Sequence, residues 1–356
     1  MEKTHFRLKL PVSCAALFCT AALVTSCYLA NTPPVPNVVG FHFAESPFEG
    51  AGEEITGIAS DGEIAVAVSR TGKIAYSLDA KIWQVVTDYT GPGITIQYSS
   101  VAWGALPEKE AAESPSGGVF LAGGDLGKAA YSYDGIAWTK GVIGPMNPKN
   151  INGVAVGMMY GSPAFAAVGD DGRICYAVGS VEGKWNEATL TPYGDADYSG
   201  EDVFAVCFGT IKNQEMFVAV GENGKFAYMN DLSGRWYGTR MGTDRTLTSV
   251  CYGDDRFVAA GDDGLIKYTN DPRESLWVLS DSSVFNSRPF SVISYDKAVG
   301  QYVFVGSDAV VGYSQFGVSW LAATFQARFE RGISAVGCTG KRIILGGEDG
   351  LIVYSN

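Results

Sequence analysis

Phe165-Ala-Ala-Val-Gly-Asp-Asp-Gly-Arg-Ile-Cys-Tyr176 decides the fold. Two apolar runs flank a Gly-Asp-Asp-Gly turn, the pattern of a strand, a tight hairpin and a second strand. The unit recurs as Phe217 to Tyr228, with Gly221-Glu-Asn-Gly224 at the turn, and as Phe257 to Tyr268. Weaker copies end at Tyr76, Tyr131 and Tyr313, and a seventh, Ile343 to Tyr354, ends two residues before the chain does. The seven tyrosines stand 55, 45, 52, 40, 45 and 41 residues apart. That period matches four-stranded propeller blades, so the chain is expected to be all-β, a seven-bladed β-propeller.

Each column of the repeat has a physical reason. The final glycine of the turn, at Gly72, Gly127, Gly172, Gly224, Gly264 and Gly350, takes positive φ without a Cβ penalty; Ala309 departs from it. Trp83, Trp138, Trp185, Trp236, Trp277 and Trp320 follow the tyrosines by seven to nine residues and form a packing column between sheets. Ahead of each hairpin lies another strand, where Ala59, Ala102, Ala155, Cys207, Cys251, Ser294 and Gly337 align. All are small, as innermost strands crowding a central channel require, and Cys207 and Cys251 are read as fillers. The seventh copy lacks its outer strand. The apolar segment Val38-Val-Gly-Phe-His-Phe43 is expected to supply it and close the ring, because an open strand edge invites aggregation.

Lys3, Arg7 and Lys9 precede an apolar stretch from Val12 to Val24, the layout of a secretory signal. A bilayer-crossing helix needs about 20 apolar residues, so a removed leader over residues 1–26 is expected. Val24-Thr25-Ser26-Cys27 resembles the lipobox of bacterial lipoproteins, which implies that Cys27 is lipidated. Residues 27–37, with Pro33, Pro34 and Pro36, then form a tether, and residues 38–356 the propeller. Removing the leader takes the net charge from −12 to −14, which argues against a nucleic-acid partner. His42 is the one histidine left, and Cys175, Cys207, Cys251 and Cys338 show no metal-binding spacing, so no metal or cofactor is expected.

Ser132-Tyr-Asp-Gly-Ile-Ala-Trp138 resembles the Asp-box, or BNR, repeat of sialidase-like propellers, and the related repeats of photosystem II assembly-factor propellers. Blade one keeps Ser77, Asp79 and Trp83 but has Ala80; blade six keeps Ser314, Gly317 and Trp320 but has Phe316 where the acid belongs. Asp134 and Gly135 are adjacent, where the Asp-box pattern has one more residue between them. These motifs stabilise turns in the families that carry them. The resemblance therefore implies fold rather than chemistry.

The hairpin turns and interblade loops are expected to form one face around the channel, with individuality in the loops. Tyr193 and Tyr198 lie in the loop entering blade four, and Arg240, Arg245, Arg288, Arg328 and Arg331 in the loops entering blades five to seven, beside Phe285, Phe325 and Phe329. Guanidinium forks suit carboxylates, sulfates or phosphates, so these residues are the candidate ligand-binding set, against the plainer reading of arginines paired with local acids. Residues 104–118 form an insertion on the opposite face. The resulting picture is an exported, membrane-anchored lipoprotein of the cell envelope with a monomeric body, a non-enzymatic binding or assembly module for a protein, peptide or glycan. Tyr28 after Cys27 points to an outer over an inner membrane in a two-membrane cell. The runner-up is an Asp-box glycoside hydrolase, for which no spacing picks out catalytic residues.

Overall fold

The computed structural model describes residues 40–355, apart from 49, 51, 112–113, 193–199, 275, 286–289, 307–309 and 323–330. Gly40 to the C-terminus forms one compact unit of seven sheets, in each of which the four blade strands run antiparallel. Their inner strands are Ile55–Ser60, Tyr98–Ala105, Ile151–Met159, Val203–Ile211, Leu247–Gly253, Phe290–Asp296 and Ile333–Cys338, one per blade in chain order. Second strands such as Ala65–Ser69 and Gln301–Gly306 are buried along their whole length, because sheets cover both of their faces.

Blade seven is built from both ends of the described chain. Phe41–Phe43 pairs antiparallel with Ile352–Ser355, Phe41 opposite Ser355 and Phe43 opposite Val353. The expected closing strand is thus in place, and residues 38 and 39 lie outside the described residues. Two blades carry more than the expected four strands. Tyr89–Thr90, leaving blade one, runs parallel to Trp138–Val142 of blade two, and Thr189–Pro192 does the same beside Arg235–Arg240 of blade four. Segments read from sequence as loops thereby cover outer edges that would otherwise be open.

The tryptophan column packs as expected. In blades two, three, four and six the ring centroid lies 6.3–6.4 Å from a second-strand aromatic: Phe120, Phe165, Phe217 and Tyr302. Trp138 Nε1 donates to the Gly135 carbonyl at 3.1 Å, and Asp134 Oδ1 accepts from the amides of Ile136 and Ala137, both at 2.8 Å. A short polar side chain thus closes the turn into the outer strand. In the 2–3 hairpins of blades two, three, four, five and seven positive φ falls on two residues rather than one, as at Asn223 (53°) and Gly224 (66°), whereas in blade one it falls on Gly72 alone. A Cβ at Gly224 would come within 2.2 Å of the Thr243 carbonyl oxygen, so the turn needs glycine for approach as well as for φ.

Every inner strand carries a β-bulge after its first residue, as between Ile55 and Gly57 or Ile333 and Ala335. The bulged positions are Thr56, Ser99, Asn152, Phe204, Thr248, Ser291 and Ser334, all but one of them short and polar. Thr56 Oγ1 donates to the Tyr98 carbonyl at 2.8 Å, Ser99 Oγ to that of Ile151, and Asn152 Nδ2 to that of Val203 at 3.2 Å. Ser334 Oγ of blade seven likewise donates to the Ile55 carbonyl of blade one at 2.8 Å. In these four blades the bulge turns a side chain toward the next blade, and the inner strands from blade seven through blade four are thereby laced together. Phe204 cannot join, which leaves blade four without this link to blade five.

Candidate functional site

The channel runs through the ring as a cavity of about 680 Å³ lined by the inner strands of all seven blades. Ala102, Ala155, Cys207, Cys251 and Ser294 of the small-residue column face it. No disulfide joins the four described cysteines. Burial pushes the Cys175 and Cys338 thiols up to about 12 and that of Cys251 well above its usual value, so none is a ready nucleophile. Among the described residues no group of three His, Cys, Asp or Glu side chains could hold a metal ion.

One end of the channel opens on the 2–3 hairpins. There the first turn residue donates its amide to the carbonyl just before the inner strand: Arg70 to Glu54, Asp125 to Gln97, Asp170 to Asn150, Glu222 to Asp202, Asp262 to Thr246 and Glu348 to Gly332, at 3.0–3.3 Å. In four of these blades its carboxylate accepts the amide of that same residue, as Asp125 does from Gln97 at 2.7 Å and Glu348 from Gly332 at 3.0 Å. Acid is thus the rule at this position, and Arg70 is the departure from it. Arg70 Nε instead pairs with Glu54 at 2.7 Å, with the Arg70 side chain 63% exposed.

Beside Arg70 lies a recess of about 330 Å³ at the channel mouth, walled by blades seven, one, two and three. Glu54, Arg70, Gln97, Asp125, Asn150 and Asn152 supply its polar groups. Asn150 and Asn152 are held in place by Asp170, at 2.9 and 3.1 Å. The recess therefore offers fixed amides, an exposed Gln97 and a guanidinium alongside the carboxylates of Glu54 and Asp125, a set suited to the amide groups of a peptide. Sequence reading missed it. The available signal was the single arginine in a column of acids.

The arginines read from sequence are differently placed. Arg245 Nε lies 3.6 Å from Asp263 and Arg331 Nε 3.9 Å from Asp349, each reaching the left-handed residue of the hairpin turn in its own blade. Lys149 makes the same contact with Asp171 in blade three. In blade four the roles invert, Asn223 Nδ2 donating to Glu201 at 2.8 Å. In blades three, four, five and seven the position two residues before the inner strand is thus a clasp on that blade's hairpin, a structural use of Arg245 and Arg331, which were offered above as ligand contacts.

Arg240 belongs to another cluster. Its guanidinium grips Glu201 through both carboxylate oxygens, at 2.8 and 3.0 Å, and donates to the Asn223 carbonyl at 2.7 Å. Lys225, 2% exposed, donates to the Glu201 carbonyl at 3.0 Å and lies 3.7 Å from its carboxylate. Burial raises the Glu201 carboxyl, but hydrogen bonds from Arg240 and Asn223 and the two nearby cations outweigh it and hold it below the usual range. Burial pulls the Lys225 ammonium down to about 8 against the attraction of Glu201.

Phe285 requires correction as a contact residue. The turn Ser283–Phe285 tucks it into the core, 3% exposed and edge-on to Phe304 with centroids 4.5 Å apart. Cys27, Tyr193, Tyr198, Arg288, Phe325, Arg328 and Phe329 lie outside the described residues.

The ring is a seven-bladed β-propeller of four-stranded blades whose hairpin face holds a polar recess at the channel mouth. No family model matches the chain, and no curated protein does. Among solved structures it is similar to YCF48 bound to D1 peptide, with a TM-score of 0.62 at 14% identity over 88% of this chain and 96% of that one. YCF48 from Cyanidioschyzon merolae matches with a TM-score of 0.62 at 12% identity, covering 89% of this chain and 99% of the other. At such identities the likeness is one of fold.

Proposed function

We propose that the protein is a membrane-tethered, non-enzymatic binding or assembly module that takes an extended segment of a partner protein at the hairpin face of its channel. The recess beside Arg70 carries this reading: it joins fixed amide groups to an exposed guanidinium on a rigid rim, and the similar YCF48 fold is known with a D1 peptide bound. Cys27 would hold the body to the envelope through its lipid, as the lipobox resemblance implies. No described helix is long and apolar enough to cross a membrane.

Capture from detergent-solubilised membranes tests the reading, with wild type, the double variant Arg70→Ala/Gln97→Ala and the clasp variant Arg245→Ala compared. The recess variant is expected to lose at least tenfold of the captured partner while Arg245→Ala keeps it. Equal yields from all three would move the site elsewhere. Cys27→Ala should separately shift the protein out of the membrane fraction, and its retention there would end the anchoring reading.

A further inference from the structure

The face opposite the hairpins carries the turns between third and outer strands, and its apolar exposure is one-sided. Twelve of the seventeen exposed large apolar side chains among the described residues lie on blades five, six, seven and one, and blade four has none. At the turn and outer strand of blade five, Leu276 is 63% and Leu279 65% exposed; in blade six Phe316 is 41% and Leu321 54% exposed; in blade one Leu78 is 73% and Ile82 54% exposed. Isolated leucines on a surface are ordinary, whereas an arc of them marks a contact.

Backbone pairing shows that these side chains share one corner. Asp281, just past Leu279, donates its amide to the Val318 carbonyl at 2.8 Å and bridges Ser319, which places the outer edge of blade five against the turn of blade six. Glu45, just past the closing strand of blade seven, donates to the Lys81 carbonyl at 2.7 Å and bridges Ile82, which joins blade seven to the turn of blade one. Phe41 pairs with Ser355 at the end of the third strand, the side on which these turns lie. The chain therefore enters the propeller at Gly40 on this corner, midway along the arc.

We propose that this corner lies against the lipid bilayer, its exposed leucines and Phe316 seated in the headgroup and upper acyl region. The proposal rests on the anchoring reading above. Twelve residues lie between Cys27 and Gly40, and the fully extended connection spans at most about 45 Å. A lipid at Cys27 thus keeps Gly40 within that distance of the membrane, and the apolar arc surrounds that point of attachment. The opposite, hairpin face and its recess then point away from the bilayer, open to a partner.

Ile136 of blade two supplies the control, since it occupies the same kind of turn just outside the arc and is 40% exposed. The lipidated protein and its Leu78→Trp, Leu279→Trp and Ile136→Trp variants are reconstituted into phosphatidylethanolamine and phosphatidylglycerol vesicles, with or without brominated acyl chains. After subtraction of wild-type emission, bromine is expected to quench the added tryptophan at 78 and 279 at least twofold more than at 136. Equal quenching, or none in vesicles that carry the protein on flotation, overturns the proposal and leaves anchoring intact. That outcome also covers a protein partner on this corner. A protein that fails to float with the vesicles ends the anchoring reading and this proposal together.

Discussion

Blade seven and blade four reach the same sheet by different means. Blade seven joins segments from opposite ends of the described chain through a three-residue outer strand, and its clasp is an exposed Arg331–Asp349 pair. Blade four is continuous, gains a fifth strand, and centres on Glu201 with a buried lysine. In compensation it lacks the bulge side chain that would link it to blade five, where Phe204 stands. Stability in the first is a matter of docking a strand, and in the second of balancing charge. The repeat tolerates either because neighbouring blades cover both faces of each sheet.

The largest way to break this contrast is to remove residues 37–43. Loss of the outer strand of blade seven should lower stability by about 3 kcal/mol or more, through lost hydrogen bonds and apolar cover. Chemical denaturation measures it, and an unchanged midpoint would show that blade seven holds without its closing strand.

Charge balance in blade four predicts a pH dependence of intermediate size. The folded Lys225 ammonium titrates near 8, against about 10.4 in an unfolded chain. Between those values the unfolded chain holds the proton and the folded one does not, so stability should rise with pH across that window. The rise should be on the order of 1–3 kcal/mol and vanish in Lys225→Met. Glu201 works in the same sense at lower pH: its depressed pKa stabilises the fold above the ordinary carboxyl range, and that contribution is lost as acid protonates it.

The smallest effect belongs to the blade-seven clasp. Arg331 and Asp349 are about half exposed and 3.9 Å apart, so Arg331→Ala should cost less than about 1 kcal/mol. Glu201→Ala, which leaves Lys225 buried beside Arg240, should cost about 2–3 kcal/mol. Similar losses for the two would erase the distinction between the blades.

Apolar columns were readable from the sequence because packing repeats at fixed offsets. The tyrosine and tryptophan columns, the small channel residues and the closing strand all follow from which positions must be buried. Polar columns were not readable in the same way. Thr56, Ser99, Asn152 and Ser334 align, but their meaning depends on a bulge that turns each toward a carbonyl in the next blade. Arg245 and Arg331 looked individual in their loops, although both stand two residues before an inner strand, which is the clasp position. Phe285 looked like a loop aromatic, and only the notch over Gly312, where an added Cβ would come within 2.7 Å of it, shows why it folds inward. Arg70 went unnoticed because it is informative only against the acids of its column.

The closing strand also bears on how the protein is made. Ser46, just past that strand, donates to the Gly350 carbonyl across 304 residues of chain. Contacts of such sequence separation form late, since nearly the whole loop must be gathered before they gain anything. A chain delivered N-terminus first would present Phe41–Phe43 hundreds of residues before their partner emerges. Until synthesis is complete, the closing strand has no third strand of blade seven to pair with and the ring cannot shut. Premature termination even a few residues short of Ser355 should therefore yield an open, protease-sensitive ring rather than a slightly smaller protein.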